Sequence, residues 1–177
     1  MKRHPALVPL SRDHHHALVI ARSLRHATAE TATEATRAFL SHWDTEEKLH
    51  FRLEEELLLP AYAAHGEPDH PAIIRMLLDH ITIRRDAAQL AGTPSLELLH
   101  DLGARLADHV ALEEHEVFPL LEATIPETEL QALGEPPVLS TSLLSQSLRR
   151  GGGLETSIVI LSLRSDTRVS LPPTERN

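Results

Sequence analysis

The sequence predicts an all-α protein, an up-down-up-down four-helix bundle over residues 1–135 followed by a mostly irregular tail over residues 136–177. Three observations predict this fold. Apolar residues recur at the helical period in four stretches of roughly 17 to 33 residues. Short turns separate the stretches, and the second and third of these turns contain glycine and proline. The second half of the bundle repeats the pattern of the first. Long helices joined by short turns pack as antiparallel neighbours.

The first helix is predicted to begin after Pro9 and to end at about His26. Residues three, four and seven positions apart share one face of a helix. On that face His14 aligns with the apolar residues Leu10, Ala17, Leu18 and Ala21. We therefore expect His14 to point into the core, with His15 and His16 turned away from it.

The second helix is predicted over residues 31–64. Thr31 and Glu34 have the spacing of a capping box, in which each side chain bonds a free amide at the helix start. His50 and Glu54 lie four residues apart and so project together. Their face also carries Phe39, Trp43, Leu57 and Ala61. An imidazole and a carboxylate are thus expected on the face that should be apolar.

The third helix is predicted to begin at Pro71, after a break over residues 66–71 that combines a glycine with two prolines. His80 lies on its apolar face. The pair Asp79-His80 repeats the pair Asp13-His14 of the first helix. This helix should therefore also place one imidazole in the core.

The fourth helix is predicted to begin at Pro94 with Thr93 as its cap. His109 and Glu113 lie on its apolar face and repeat the histidine–glutamate pair of the second helix. In both helices two acids stand four and five residues after the histidine, and a proline stands ten residues after it. One such frame could arise by chance, but two frames in register indicate a duplicated site.

Ionisable groups in an apolar core are costly unless they are neutralised or paired. A single histidine on an apolar face is more often a core residue bonded to a carbonyl oxygen, but four of them on separate helices favour a bound cation. The chain has no cysteine, which excludes disulfides, thiolate-bound zinc, iron–sulfur clusters and a cysteine nucleophile. Nitrogen and oxygen ligands remain, and iron and manganese accept such mixed sets.

Charge and hydropathy exclude other classes of partner. A net charge of −9 and few aromatic residues argue against nucleic-acid binding. No apolar run approaches the roughly 20 residues that span a bilayer, and prolines interrupt what would be the apolar part of a signal peptide. We expect a cytoplasmic protein that binds neither nucleic acid nor membrane.

Together these features resemble the hemerythrin-like family of HHE cation-binding domains over roughly residues 7–125. The resemblance rests on the two acid–histidine pairs, the two histidine–glutamate pairs, and the Phe118-Pro119 that follows the second of them. It implies a non-haem di-iron centre, with manganese as the other candidate metal. The implied ligands are His14, His50, Glu54, His80, His109 and a carboxylate from Glu113 or Glu114.

The chain departs from the oxygen-carrying hemerythrins on two helices. Their third helix presents two histidines four residues apart, whereas the positions four residues either side of His80 are Met76 and Arg84. This argues against reversible oxygen carriage and leaves either one ion more open or only one ion tightly held. Their fourth helix uses a carboxylate five residues after its histidine, which would select Glu114. Helical phase favours Glu113 instead.

The remaining acids and histidines are expected outside the site. His15 is a candidate to orient a ligand, and phase places Glu116 inward as a bridging or orienting carboxylate. The other histidines are assigned to the surface or loops, namely His16, His26, His42, His65, His70, His100 and His115. The acids Glu46, Glu47, Glu55 and Glu56 are assigned to a solvated face of the second helix.

Three functions fit a metal site of this kind. The first is a sensor or binder of dioxygen, nitric oxide or peroxide, or a protein that handles iron. The second is a redox enzyme that removes peroxide or repairs damaged metal centres, and the third is a bundle with a purely structural ion. The expected ligand is a small diatomic molecule or peroxide, and the pattern leaves open whether the protein is an enzyme.

Overall fold

The computed structural model describes residues 3–134. All regular structure in this part of the chain is helical, as predicted, and these residues contain no strand. The predicted domain boundary after residue 135 and the predicted tail over residues 136–177 lie outside the described residues. No helix within residues 3–134 combines the length and the apolar character needed to cross a membrane.

Four long helices and one short helix make up the described chain. A 3₁₀ turn at Pro5–Leu7 leads into α1, Val8–Arg25. α2 runs over residues 32–63, α3 is Pro71–Gly92, α4 runs over residues 96–124, and α5 is Glu127–Gly134. The long helices match the predicted ones to within a few residues, and α5 is an addition that the sequence pattern does not predict.

Two predicted helix caps differ from the observed ones. Ser95 caps α4 by accepting a hydrogen bond at 3.1 Å from the amide three residues later, so α4 begins two residues later than predicted. The predicted capping box of α2 does not form. The Thr31 hydroxyl instead accepts from the Thr28 amide at 2.8 Å, and Glu34 binds Arg37. Short-range bonds of this kind compete with caps at such residues.

Both α2 and α4 contain wider π-helical turns, in which each amide bonds the carbonyl five residues back. These turns are Trp43–Glu47 and Glu54–Leu58 in α2 and Glu113–Val117 in α4. The last two turns end two residues before Pro60 and Pro119. In a regular helix a proline ring clashes with the carbonyl four residues back. The wider turn relieves that clash, and the helix continues past the proline.

The extra residue in a π turn rotates the residues that follow it. Regular spacing predicts Leu57 and Glu116 on the inward face, but the fully buried residues are their neighbours Leu58 and Val117. Glu116 is exposed. Its predicted inward position is therefore wrong, because the helix gains one residue between positions 113 and 117.

The apolar core forms two clusters along the bundle. The first cluster includes Leu10, Leu58, Met76, Phe118 and Leu130. The second cluster includes Ala17, Phe39, Ile83, Leu102 and Leu106. α1 and α3 each pack against both α2 and α4. On each of the four long helices, buried polar residues stand where the first cluster gives way to the second.

We predict that Gly103→Ala lowers the free energy of unfolding by about 1–3 kcal/mol, the usual cost of overpacking a filled core. A Cβ at this position would lie 2.7 Å from the Ala21 carbonyl oxygen and 2.8 Å from the Leu24 Cβ, so α1 and α4 would have to move apart. Gly92→Ala is the matched control, because among the described residues nothing lies within 4 Å of its added Cβ. Urea denaturation measures both. Equal midpoints for the two variants would contradict close packing of α1 on α4.

Candidate metal centre

A layer of six polar side chains lies between the two apolar clusters. Its members are His14, His50, Glu54, His80, His109 and Glu113, each no more than 3% exposed. α1 and α3 contribute one histidine each, and α2 and α4 each contribute a histidine and a glutamate four residues later. The remaining candidate ligand, Glu114, lies beside this layer with its side chain 26% exposed. The layer is therefore assembled from all four long helices.

One half of the layer forms around His14 and His50. Their Nε2 atoms lie 3.0 Å apart. His50 Nε2 lies 3.2 Å from Glu54 Oε1, and His14 Nε2 lies 2.9 Å from Glu113 Oε2. One donor atom from each of these four residues lies within 4.8 Å of the other three. This spacing suits a single bound cation.

The other half forms around His80 and His109. Their Nε2 atoms lie 3.4 Å and 3.1 Å, respectively, from Glu113 Oε1. His80 Nε2 also lies 3.3 Å from Glu54 Oε2. Donor atoms of His80, His109 and Glu113 lie within 4.8 Å of one another. This half therefore offers two imidazole nitrogens together with carboxylate oxygens.

The two glutamates reach into both halves. Glu54 places Oε1 beside His50 and Oε2 beside His80. Glu113 places Oε2 beside His14 and Oε1 beside His80 and His109. Each carboxylate thus has one oxygen on each side, which is the arrangement of a group that bridges two cations.

Several buried atoms of the layer have close neighbours but no partner in hydrogen-bonding geometry among the described residues. Those that face the interior are both carboxylate oxygens of Glu54 and of Glu113 and the Nε2 atoms of His80 and His109, and the Nδ1 atoms of His50 and His109 also lack such a partner. Buried polar atoms in folded proteins are nearly always hydrogen-bonded. Unsatisfied donors and acceptors that converge on one small volume fit a divalent metal ion, and oxygen with imidazole nitrogen is a donor set that iron and manganese accept.

Glutamates bind the outer ring nitrogens of two of these histidines. Glu114 Oε1 lies 2.7 Å from His14 Nδ1, and Glu55 Oε1 lies 2.7 Å from His80 Nδ1. Such bonds orient the ring and leave Nε2 free for the interior. The assignment of Glu55 to a solvated face is therefore wrong. The signal was present in the repeated frame, because Glu55 and Glu114 each stand five residues after a histidine of the layer.

The other two histidines have aspartates behind them. Asp13 Oδ2 lies 3.6 Å from His50 Nδ1, and Asp79 Oδ2 lies 3.9 Å from His109 Nδ1, both within ion-pair range. Each aspartate precedes a buried histidine in sequence, yet it faces a histidine of a different helix. All four histidines thus have a carboxylate behind the outer nitrogen.

Buried charges of both signs balance one another in the layer. Burial opposes protonation of His14, but contacts with two glutamates outweigh it and raise its pKa to about 9. Burial likewise opposes a proton on His50 and on His80, and their carboxylate neighbours raise both pKa values well above the usual range. Burial lowers the pKa of His109. Burial favours a neutral Glu113, but adjacent imidazoles hold its pKa well below the usual range.

A second buried ionisable pair joins the residue before the first π turn of α2 to the last residue of that turn. His42 Nε2 lies 2.8 Å from Glu47 Oε2, and these residues are 7% and 4% exposed. Their assignment to the surface is wrong. A pair five residues apart faces the same way only in a π-helical turn, which regular helical spacing does not reveal. His15 is exposed, and the four histidines of the layer have carboxylates of other residues behind them, so it does not take the predicted orienting role.

Comparison with known proteins identifies one related family. The family model described as Hemerythrin HHE cation binding domain matches residues 7–121, a range that contains every side chain of the polar layer. No curated protein and no solved structure matches the chain.

We predict that the affinity for a divalent cation such as Mn²⁺ rises with pH between about 6 and 8, because only neutral imidazole binds metal. His14 keeps its proton up to a pKa of about 9, so a cation must displace that proton throughout this range. Isothermal titration calorimetry in buffers of different ionisation enthalpy measures both the affinity and the protons released. An affinity independent of pH, with no proton release, would contradict the charge balance described above.

Proposed function

Because the chain belongs to the hemerythrin HHE cation-binding domain family, we propose that it is a non-haem di-iron protein of hemerythrin type that binds or senses dioxygen, nitric oxide or peroxide, or handles iron. The observation that carries this proposal is the position of Glu54 and Glu113, each with one oxygen in each half of the buried layer. A single ion would not require carboxylates divided in this way.

In this proposal each half of the layer holds one ion. His14 and His50 bind the first ion, His80 and His109 bind the second, and the two glutamates bridge them. Glu114 orients His14 from outside rather than binding metal, since its oxygen lies at the outer ring nitrogen. The proposed ligand set is therefore His14, His50, Glu54, His80, His109 and Glu113.

An up-down-up-down order of the four long helices is part of the proposal. It is supported by the helix contacts, since α1 and α3 each pack on α2 and on α4. It is also supported by the short connections, which are residues 26–31, 64–70 and 93–95. Antiparallel neighbours bring the two repeated frames to the same level of the bundle, where their glutamates meet.

Iron suits the proposed donors because they mix imidazole with carboxylate and include no thiolate, and manganese shares this preference. Bound iron would supply redox chemistry and a coordination position for a small ligand. The protein's own residues orient the ligand histidines and exclude water. Phe51 covers His80, with the two rings stacked at a centroid distance of 3.8 Å, and Phe118 lies against His14 at 5.2 Å.

The proposal predicts close to two iron ions per chain after anaerobic loading of the metal-free protein with Fe²⁺. Elemental analysis with an optical spectrum of the oxidised protein measures this stoichiometry. Less than half an iron per chain, or zinc alone, would overturn the di-iron assignment.

Removal of the metal should also lower the melting temperature, because an ion that binds only the folded chain stabilises it by several kcal/mol at saturation. Thermal denaturation of the loaded and the metal-free protein measures this difference. An unchanged melting curve in protein confirmed to be metal-free would show that the core does not depend on the ion.

We further expect Glu113→Ala to reduce the iron stoichiometry more than Glu114→Ala does. Loss of Glu113 removes an oxygen from both halves of the layer, whereas loss of Glu114 only frees the His14 ring and should weaken affinity by about 10–100-fold. Matched iron titrations of the two variants measure the difference. His16→Ala is the control, because this exposed side chain bonds Glu46 rather than the layer. A larger loss of iron in Glu114→Ala would reverse the roles of the two glutamates.

A further inference from the structure

We propose that Arg3 and Arg84 are positioning residues for the two halves of the metal centre, each acting through the glutamate that orients one ligand histidine. Arg84 acts on His80 through Glu55, and Arg3 acts on His14 through Glu114. The inference rests on the proposed function, because the two arginines can position ligand histidines only if the layer holds the proposed metal ions.

Arg84 contacts two side chains that in turn contact His80, namely Glu55 and Phe51. Its Nη1 and Nη2 donate to the two oxygens of Glu55 at 2.7 Å and 3.0 Å, and Glu55 Oε1 bonds His80 Nδ1 at 2.7 Å. The guanidinium also lies 5.3 Å from the centre of the Phe51 ring, which stacks on His80 with an interplanar angle of 11°. Two parallel bonds from one guanidinium hold a carboxylate in a single orientation.

Arg3 builds the same arrangement on the other half. Its Nη2 donates to Glu114 Oε2 at 2.6 Å and to the Glu114 carbonyl oxygen at 2.8 Å, and Nη1 donates to Glu122 at 3.3 Å. Its guanidinium lies 5.0 Å from the centre of the Phe118 ring, which stacks on His14 with an interplanar angle of 20°. Each half thus has an arginine, a glutamate and a phenylalanine around one ligand histidine.

Duplication of the sequence accounts for the histidines and glutamates of this arrangement but not for its arginines and phenylalanines. Arg84 stands four residues after His80 on α3, where the position four residues after His14 is Leu18, which is exposed. Arg3 instead precedes α1 altogether. The two phenylalanines also occupy unlike positions in the repeated frame. The histidines and glutamates thus come from equivalent positions of the repeat, whereas the arginines and phenylalanines come from unrelated positions. Arrival of both residue types at each half from unrelated positions favours a role at the metal over chance pairing.

The effect of each arginine follows from what it restrains. Glu55 and Glu114 are both partly exposed, with side chains 28% and 26% accessible, so water could otherwise draw either carboxylate away from its histidine. Arginine keeps its charge at every relevant pH. Arg84 binds both carboxylate oxygens of Glu55, and Arg3 binds one carboxylate oxygen and the backbone carbonyl oxygen of Glu114. With the arginine in place, the histidine ring stays aimed at the interior. Without it, that ring is less well oriented and its ion should leave sooner.

The test uses the full chain, loaded anaerobically with two Fe²⁺ and mixed with excess ferrous chelator. In Arg84→Gln and in Arg3→Gln, half of the iron should be released about threefold to tenfold faster, a smaller effect than the 10–100-fold that losing a ligand's own partner costs. The double variant should release all of its iron at the faster rate. Arg37→Gln is the matched control, because within residues 3–134 Arg37 pairs only with the exposed Glu34.

A mutant cycle separates positioning from general stability. If Arg84 acts mainly through Glu55, Arg84→Gln should accelerate release much less in a Glu55→Gln background than in the parent chain. Equal acceleration in both backgrounds, equal acceleration of both ions in a single variant, or no acceleration would overturn the inference. A parent chain that loads fewer than two irons would instead overturn the proposed function, and this is seen before any chelator is added.

Discussion

The structure depends on the burial of two carboxylates, Glu54 and Glu113, at the centre of an apolar bundle. A buried charge without a partner is strongly destabilising, so the surroundings of these two groups are highly constrained. Four imidazoles enclose them. Carboxylates stand behind all four imidazoles, and arginines hold two of those carboxylates. In the proposed function, metal ions would take the place of the protons that the imidazoles with raised pKa values, His14, His50 and His80, otherwise hold.

The sequence predicts the centre of this arrangement better than its outer shells. Regular helical spacing identifies the histidines on the four apolar faces, and it places His14 and His80 correctly among the buried residues. It fails for Glu47, Leu57 and Glu116, because π turns shift the helical phase. Such turns depend on how the whole helix packs around the layer and its prolines, and local propensity does not encode that.

The contacts made behind the ligand histidines could not be predicted for a different reason, since they join residues that are far apart in sequence. Arg3 reaches Glu114 across more than a hundred residues of sequence, and it precedes the first helix, where no periodic pattern applies. Asp13 faces His50 on another helix although it adjoins His14 in sequence. Pairings between helices require the three-dimensional structure. By contrast, Glu55 could have been recognised from its match to Glu114 in the repeated frame.

The polar layer that divides the two apolar clusters has a consequence for how the helices align. In a bundle packed only by apolar residues, a helix can slide by one turn along its neighbours and still bury similar surface. Here a slide of one turn, about 5.4 Å, would carry His14 or His80 into an apolar cluster and leave a buried carboxylate without its partner. The layer thus fixes a single axial register of the four helices. Buried polar groups serve this specificity role in some helical assemblies.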